Sequence, residues 1–307
     1  MKWRKQGKIC DSSTFDIYWY RLNTMTPLPY MRQDGILRIY LTMCDEKNRG
    51  HVGYVDLDPE KCLKIVNYSK EPTLGLGEIG MFDEDGVLPT SLIKEDGKLW
   101  LHYSAYQRQV NYPYNIFSGL AVSNDDGNSF TRIKKTPILD RTEGEYFQRS
   151  AVEIMKLNSG YRIWYSCGSH WLDTSGKSVP KYDIHCMDSN SFFEWNSKSM
   201  PSVTFLNDDE YGLTMPQVWY SNGLYRMVYS IRSLSKGYRL GYAESVDGIS
   251  FNRMDEKMKI DVSTSGFDSE MICFGKILEY AGTTYLFYCG NHYGRGGLGY
   301  AVLEDDA

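Results

Sequence analysis

The sequence lacks the motifs that mark several large enzyme classes. No glycine-rich loop runs into Lys-Ser or Lys-Thr, no dinucleotide-binding fingerprint is present, and no Gly-x-Ser-x-Gly occurs. The five histidines stand far apart, and neither a His-x-x-x-His spacing nor a Cys-x-x-Cys pair is found. We therefore expect neither P-loop nor Rossmann-type nucleotide binding, no serine nucleophile on an elbow, no cofactor and no dedicated metal site. The sequence leaves open whether acidic side chains alone hold a cation.

Basic runs, long apolar stretches and a cysteine framework are also absent. The net charge is −5, and no cluster of Lys and Arg is interleaved with aromatics, so we expect no nucleic-acid partner. The N-terminal residues 1–5 are followed by no apolar stretch, which predicts neither a signal peptide nor a membrane span. The seven cysteines are scattered, an odd count that indicates a reducing, cytoplasmic environment. The oligomeric state is left open.

The sequence does contain a repeat that fills its length. Five times, a turn of the Asp-Gly or Asn-Gly kind, or a close variant, leads into a strand that reaches a tyrosine. These tyrosines are 59 to 64 residues apart, and they are Tyr40, Tyr103, Tyr165, Tyr229 and Tyr288. A period of this length without helical spacing is typical of propellers. We predict an all-β fold with one domain over residues 1–307, a five-bladed β-propeller with four-stranded antiparallel blades.

The last repeat stops one strand short. It ends with a third strand over residues 297–302, and only five residues follow. The N-terminal segment 3–5 (Trp-Arg-Lys) is similar to segments 130–132 (Phe-Thr-Arg) and 251–253 (Phe-Asn-Arg), which end the second and fourth repeats. We predict that the N-terminal strand completes the fifth blade and closes the ring, which leaves only short protected edges.

Four segments carry a resemblance to a known superfamily. They are residues 80–89 (Gly-Met-Phe-Asp, then Gly-Val-Leu-Pro), 225–232 (Tyr-Arg-Met-Val-Tyr-Ser-Ile-Arg), 266–271 (Gly-Phe-Asp-Ser-Glu-Met) and 287–291 (Phe-Tyr-Cys-Gly-Asn). With them the chain resembles the five-bladed propellers of glycoside hydrolase families 43, 32 and 130, especially relatives encoded in bacterial surface-polysaccharide gene clusters. The resemblance implies an enzyme of polysaccharide metabolism that cleaves or processes a glycoside at an axial pocket. Its partner would be a sugar, an oligosaccharide or a sugar nucleotide.

The predicted catalytic residues are acids at a fixed offset from the repeat tyrosines. Twenty residues before them stand Tyr20, Asp83, Glu145, Asp209 and Asp268, and Glu210 and Glu270 adjoin the last two. Glycoside hydrolysis needs one protonated and one ionised carboxyl, and crowded carboxylates raise one another's pKa. The six acids are thus predicted to line the channel, although each is also suited to capping a turn or pairing with an arginine.

The first repeat departs from the pattern of the resembled families. Families 43 and 32 place the catalytic base on the first inner strand, whereas residues 25–30 (Met-Thr-Pro-Leu-Pro-Tyr) contain no acid. The general acid would come from the third blade, where Glu145 and Glu153 are the candidates. Asp83 matches the position that tunes the acid. Which carboxylate acts as acid and which as base is left open.

Cationic and aromatic residues suggest two further functions. Arginine forks suit phosphate, and the predicted substrate-binding residues are Arg149, Trp171, Arg232, Asn291, His292 and Tyr293. They favour, as an alternative, a phosphorylase, a glycosyltransferase or a sugar-nucleotide-processing enzyme. The missing acid of the first repeat favours a non-catalytic sugar-binding propeller. The arginines are equally suited to neutralising the acids.

Overall fold

The structure, a computed structural model, describes residues 1–174 and 177–304 and is built almost entirely of strands. In chain order these are β1 (Lys2–Cys10), β2 (Thr24–Met31), β3 (Leu37–Cys44), β4 (Gly50–Asp58), β5 (Lys64–Tyr68), β6 (Gly86–Glu95), β7 (Lys98–Arg108), β8 (Tyr114–Ser123), β9 (Thr131–Arg132), β10 (Gln148–Leu157), β11 (Gly160–Thr174), β12 (Lys177–Ser189), β13 (Met200–Val203), β14 (Glu210–Ser221), β15 (Leu224–Ser233), β16 (Arg239–Ser245), β17 (Asn252–Arg253), β18 (Cys273–Tyr280), β19 (Thr283–Cys289) and β20 (Leu298–Glu304). Helical turns are confined to Pro59–Lys61, Asp255–Met258 and α1 (Asn291–Gly294) in the described residues. The predicted all-β class is confirmed.

Antiparallel pairing groups the strands into five consecutive units of four. Unit 1 is β2–β5, unit 2 is β6–β9, unit 3 is β10–β13, unit 4 is β14–β17, and unit 5 is β18–β20 together with β1. Units 1 to 4 are linked by short parallel bridges, from the third strand of one unit to the first strand of the next. The tyrosine repeat of the sequence therefore follows real structural units.

The N-terminal strand β1 is the fourth strand of unit 5. It pairs antiparallel with β20 from Lys2, opposite Glu304, to Cys10, opposite Leu298. Trp3 and Cys10 are buried, and the N-terminal ammonium group donates a hydrogen bond to the Lys257 carbonyl over 2.8 Å. The two ends of the chain thus share one sheet, as the similarity of residues 3–5 to the other outer strands predicts.

The first strand of every unit carries a β-bulge at the same place. At four of the five bulges one residue has a left-handed backbone with φ between 50° and 58°, namely Thr26, Ala151, Met215 and Phe274. Since a bulge reverses the alternation of side chains along a strand, Ala151, Met215 and Phe274 turn toward the space between the first strands, whereas the Thr26 hydroxyl lies 2.6 Å from that of Thr42 on β3. The residues opposite the bulges on the second strands are Leu41, Tyr103, Tyr165, Tyr229 and Tyr288.

This register corrects the repeat in unit 1. Tyr40 pairs with Leu28, one position beyond the bulge, and is therefore not the equivalent of the other four tyrosines. Leu41 holds that place. Tyr40 instead corresponds to Trp164 of unit 3, and each donates a hydrogen bond of 2.8 Å to the carbonyl of a glycine in the next unit's outer turn.

A hydroxyl that follows the tyrosine connects one unit to the next. Ser104 of unit 2 accepts a hydrogen bond of 2.6 Å from the Ala151 amide, which belongs to the bulge of unit 3. Ser230 of unit 4 accepts one of 2.8 Å from the Phe274 amide of unit 5. Because neighbouring side chains of a strand point to opposite faces, the tyrosine stays within its own unit while the serine reaches the next one. The bulges are thereby fixed relative to each other.

Two buried arginines add a second kind of contact between units. Arg38 lies 2.7 Å from Asp56 of its own unit and donates through Nη1 to the Gly127 carbonyl of unit 2 over 3.0 Å. Arg162 of unit 3 repeats this with the Asp247 carbonyl of unit 4, over 2.7 Å. The outer turns of units 2 and 4 thus form hydrogen-bonded contacts with the preceding unit.

The seven cysteines are free thiols, and six of them are buried. In the part of the chain that the structure describes, no helix has the length and apolar character needed to cross a membrane.

Deletion of residues 1–10 tests the role of β1. We expect the truncated chain to lose several kcal/mol of unfolding free energy, because β20 becomes an open edge and Asp268 loses its ion pair with Lys5. Urea denaturation followed by circular dichroism measures this loss. The control is Lys2→Ala, which removes an exposed ion pair with Glu304 and should change the free energy by less than about 1 kcal/mol. A truncated chain as stable as the full-length protein would contradict this role.

Candidate functional site

A cavity of about 550 Å³ lies where the first strands converge. This volume is within the range that accommodates small-molecule ligands. All five first strands contribute to its wall at or beside their bulges, through Met25, Leu88, Ala151, Met215 and Phe274. The bulges therefore give the cavity an apolar inner wall.

The polar part of the wall is formed by tyrosines, amides and two arginines. They are Tyr106, Tyr114, Tyr182, Tyr238, Tyr293, Asn48, Gln109, Gln148, Arg108 and Arg232. Among the described residues that line the cavity there is no Asp or Glu. Gln148 is 3% exposed and its Oε1 atom has no hydrogen-bond partner, so it offers a free acceptor. The cavity is thus rich in donors and contains no negative charge of its own.

Arg232 on β15 is the cation at the centre of this group. Its Nη2 atom donates to the Tyr293 hydroxyl over 3.0 Å, and its guanidinium lies 4.9 Å from the ring centre of Tyr211 and 5.8 Å from that of Tyr238. No ion pair joins Arg232 to a carboxylate in residues 1–174 and 177–304, and the titratable groups around it are tyrosines. Burial raises the pKa of Tyr114 and of Tyr238, so these hydroxyls stay neutral and do not compensate the charge.

Arg108, the second arginine, is already engaged. Its Nη2 atom donates to the carbonyls of Lys47 and Asn48, each over 2.9 Å. It is exposed and fixes the loop between β3 and β4 against β7. Arg232 is the cavity cation whose donors are less fully used.

Three of the predicted carboxylates share one arrangement away from the cavity. Each is buried, accepts a hydrogen bond from the tyrosine twenty residues later, and pairs with a cation. The sets are Asp83 with Tyr103 (3.3 Å) and Arg132 (2.5 Å), Glu145 with Tyr165 (3.0 Å) and Arg149 (2.6 Å), and Asp268 with Tyr288 (2.9 Å) and Lys5 (2.7 Å). The offset of twenty residues therefore marks a repeated acid–tyrosine–cation contact.

The other three acids are placed differently from one another. Glu210 is held by both Nη atoms of Arg253, at 2.6 and 2.8 Å. Asp209 accepts hydrogen bonds from the amide and hydroxyl of Ser235 at the surface. Glu270 is exposed and lies 3.3 Å from His292. None of the six predicted acids lines this cavity, and their catalytic role stays a prediction.

Of the six predicted substrate-binding residues, two line the cavity and four lie elsewhere. Arg232 and Tyr293 line the cavity together. Arg149 is buried against Glu145, and Trp171 packs on Phe147 with ring centres 4.4 Å apart. Asn291 accepts a hydrogen bond from the Glu270 amide over 2.7 Å and so fixes a loop, while His292 is exposed.

Sequence reasoning missed the tyrosines of the third strands. Tyr114 begins β8, Tyr182 lies in β12 and Tyr238 directly precedes β16. Tyr114 and Tyr238 stand at the start of the third strand of units 2 and 4, and Tyr182 lies within the third strand of unit 3. A comparison of third-strand starts, rather than of the turns before second strands, would have found the first two.

A second cavity of about 420 Å³ adjoins the first, with Tyr182 in the wall of both. Glu145, Cys167 and His185 meet there, and their potential ligand atoms all lie within 4.8 Å of one another. Within the described ranges they form the one group of three that has a geometry suited to holding a metal ion.

Comparison with solved structures supports the fold. A glycosyl hydrolase from Bacteroides ovatus superimposes with a TM-score of 0.71 at 15% identity, covering 100% of this chain and 91% of that one. A thermostable family-43 glycoside hydrolase gives 0.69 at 17% identity, with 94% and 92% covered. An α-L-arabinofuranosidase from Lactobacillus brevis gives 0.67 at 11% identity, with 97% and 96% covered. The resemblance to the superfamily of families 43 and 32 is confirmed at the level of fold.

Sequence comparison shows the family to which the chain belongs. No family model matches it. The "Uncharacterized protein Rv1502" of Mycobacterium tuberculosis is 30% identical over 305 residues, which are 99% of this chain and 100% of that protein. "Uncharacterized protein MT1551", from another strain of the same species, is equally similar. The chain therefore belongs to the family of the Mycobacterium tuberculosis protein Rv1502.

Proposed function

We propose that the five units form a closed five-bladed β-propeller, one domain over residues 1–307, whose axial cavity binds an anionic saccharide. Contacts between the last and first units support a closed ring. The Asn23 side chain, just before β2, donates to the carbonyls of His292 and Tyr293 in unit 5, over 2.8 and 3.1 Å. Lys276 of unit 5 also reaches Glu153 of unit 3, over 2.8 Å. Inner strands of non-adjacent units therefore meet near the axis.

The observation that carries the functional proposal is the charge of Arg232. Arg232 is half-buried in the cavity wall, where pairing with an anion stabilises a cation, and the described part of the chain provides no carboxylate partner. The planar guanidinium presents forked donors that match the oxygens of a phosphate or a carboxylate. A bound ligand with such a group would supply the missing partner.

The remaining wall suits the sugar part of such a ligand. Aromatic rings provide flat apolar faces with a polar tip, and five tyrosines line the cavity. The unpaired Oε1 atom of Gln148 can accept a hydrogen bond from a sugar hydroxyl. The fold, shared with glycoside hydrolases, adds support for a carbohydrate ligand. A sugar phosphate or sugar nucleotide fits this chemistry better than a neutral oligosaccharide.

The cavity favours glycosyl transfer or phosphorolysis over hydrolysis. Hydrolysis by the usual route needs two carboxyl groups on either side of the scissile bond. In transfer from a nucleotide sugar, or cleavage by phosphate, the charged group belongs to the substrate, which agrees with a cavity that offers a cation. A place in bacterial polysaccharide metabolism and a cytoplasmic location are part of this proposal.

Replacement of Arg232 by glutamine tests the binding site. We expect Arg232→Gln to weaken the binding of glucose 1-phosphate or UDP-glucose, whichever the parent binds, by about 10- to 100-fold, because a charge-assisted hydrogen bond contributes about 1.5–3 kcal/mol. Its unfolding free energy should stay within about 1 kcal/mol of the parent, since the substitution removes an uncompensated charge. Isothermal titration calorimetry and urea denaturation measure the two quantities.

The matched control is Arg226→Gln. Arg226 lies on the same strand β15, and contacts Glu244 and the Ser221 carbonyl outside the cavity, so its loss should leave affinity unchanged. Equal affinities in Arg232→Gln and the parent would refute the proposed site. So would preferential binding of uncharged glucose.

Hydrolysis by the predicted acids is the second candidate function, supported by the fold and by Glu145, which lines the second cavity.

Replacement of two predicted acids distinguishes a structural role from a catalytic one. We expect Asp83→Asn and Asp268→Asn each to lower the unfolding free energy by about 3 kcal/mol, because each breaks a buried ion pair. Ligand affinity should not change. Surface Asp209→Asn is the control, with a change within about 0.5 kcal/mol. If the buried variants keep full stability and the parent's cleavage of nitrophenyl glycosides is lost, the carboxylate mechanism is favoured instead.

A further inference from the structure

We propose that Glu145, Cys167 and His185 form a zinc site in the second cavity, distinct from the axial cavity. Cys167 and His185 project from the same face of the paired strands β11 and β12, because Tyr165 is opposite His185 and Cys167 is opposite Asp183 in the register. Glu145 reaches them from the segment that precedes β10. The potential ligand atoms of the three residues lie within 4.8 Å of one another.

The histidine is oriented as a metal ligand would be. Its Nε2 atom lies 3.1 Å from Asp183 Oδ1, and its Nδ1 atom lies 3.8 Å from Glu145 Oε1. With the Nε2 proton donated to Asp183, Nδ1 carries the free lone pair, which faces the Ser199 hydroxyl 2.6 Å away. Metal-ligating histidines characteristically donate their other nitrogen to a carboxylate in this way.

Ser199 is the group that must yield when the metal binds. Its oxygen lies 2.6 Å from His185 Nδ1 and 2.9 Å from the Tyr165 hydroxyl oxygen. A change of the Ser199 side-chain rotamer moves this oxygen away and leaves Nδ1 free for a metal ion. The exchange therefore replaces one hydrogen bond by a metal–nitrogen bond.

Glu145 is likewise held by outer partners. Its Oε2 atom forms an ion pair of 2.6 Å with Arg149 Nε, and both of its oxygens lie within reach of the Tyr165 hydroxyl. The Oε1 atom remains on the side of His185. Arg149 thus orients the carboxylate and leaves one oxygen available for a metal ion.

The mixture of ligands selects the metal. One thiol, one imidazole and one carboxylate form a set that suits Zn²⁺ and is unlike the all-oxygen sites of Mg²⁺ and Ca²⁺. On binding, the thiol loses its proton to solvent and the thiolate coordinates the ion. Three protein ligands leave a fourth position open toward the cavity, as in catalytic zinc sites. The absence of a spaced motif in the sequence reflects ligands drawn from three separate elements.

Zinc binding by the whole chain tests the proposal. Cys62, the exposed thiol, is first replaced by serine so that it does not bind metal. We expect the chelator-stripped Cys62→Ser protein to bind one equivalent of Zn²⁺ in calorimetry. With Co²⁺ it should show the absorption band of a thiolate–cobalt bond. Adding Cys167→Ser should abolish that band and weaken zinc binding at least tenfold.

Two further variants make the result decisive. Cys186→Ser removes a buried thiol next to His185 on β12, on the opposite face of the strand, and should leave zinc affinity and the cobalt band unchanged. Asp183→Asn should weaken zinc binding by about 10- to 100-fold and keep the cobalt band, as expected for a positioning residue. No stoichiometric zinc binding, or equal binding after Cys167→Ser, would overturn the proposal. Neither outcome depends on Arg232 or on the axial cavity.

Discussion

The structure depends on the bulge in each first strand and, in units 3 and 5, on the serine hydroxyl of the preceding unit that binds the bulged amide. The bulge turns one backbone residue into a left-handed conformation, which costs free energy in residues other than glycine. Ser104 and Ser230 offset that cost by accepting hydrogen bonds from the bulged amides of Ala151 and Phe274. Since the same contacts hold adjacent units together, the local backbone and the arrangement of units are fixed jointly. The apolar wall of the axial cavity is the direct result.

The distribution of charge follows from this arrangement. In units 2, 3 and 5 the tyrosine opposite the bulge points the other way, into its own unit, where it binds a buried acid that a cation neutralises. These acids are compensated within the fold, whereas Arg232 lies in the cavity among neutral hydroxyls without a carboxylate partner. The protein therefore places its unbalanced positive charge where a ligand can reach it. This is the physical basis for assigning the cavity to an anionic saccharide.

The sequence predicted the strands and the units well, because hairpin turns and tyrosines recur at nearly constant spacing. It also predicted that residues 3–5 complete the last unit, from their similarity to the other outer strands. Side-chain direction was harder to predict. The offset of twenty residues was expected to place Asp83 and Asp268 on inner strands, whereas both precede the first strand of their unit and lie in buried clusters with a tyrosine and a cation. Tyr114, Tyr182 and Tyr238 escaped notice because the segments before third strands vary in length.

The most direct measurement is a crystal structure of the protein soaked in tungstate, an analogue of phosphate whose anomalous signal locates the anion. An anion within hydrogen-bonding distance of the Arg232 guanidinium, between the cavity tyrosines, is the predicted result. A cavity without anomalous signal while tungstate occupies other sites would contradict it. A carboxylate of the protein turned onto Arg232 would do the same, because the charge on which the proposed function rests would then be compensated by the fold itself.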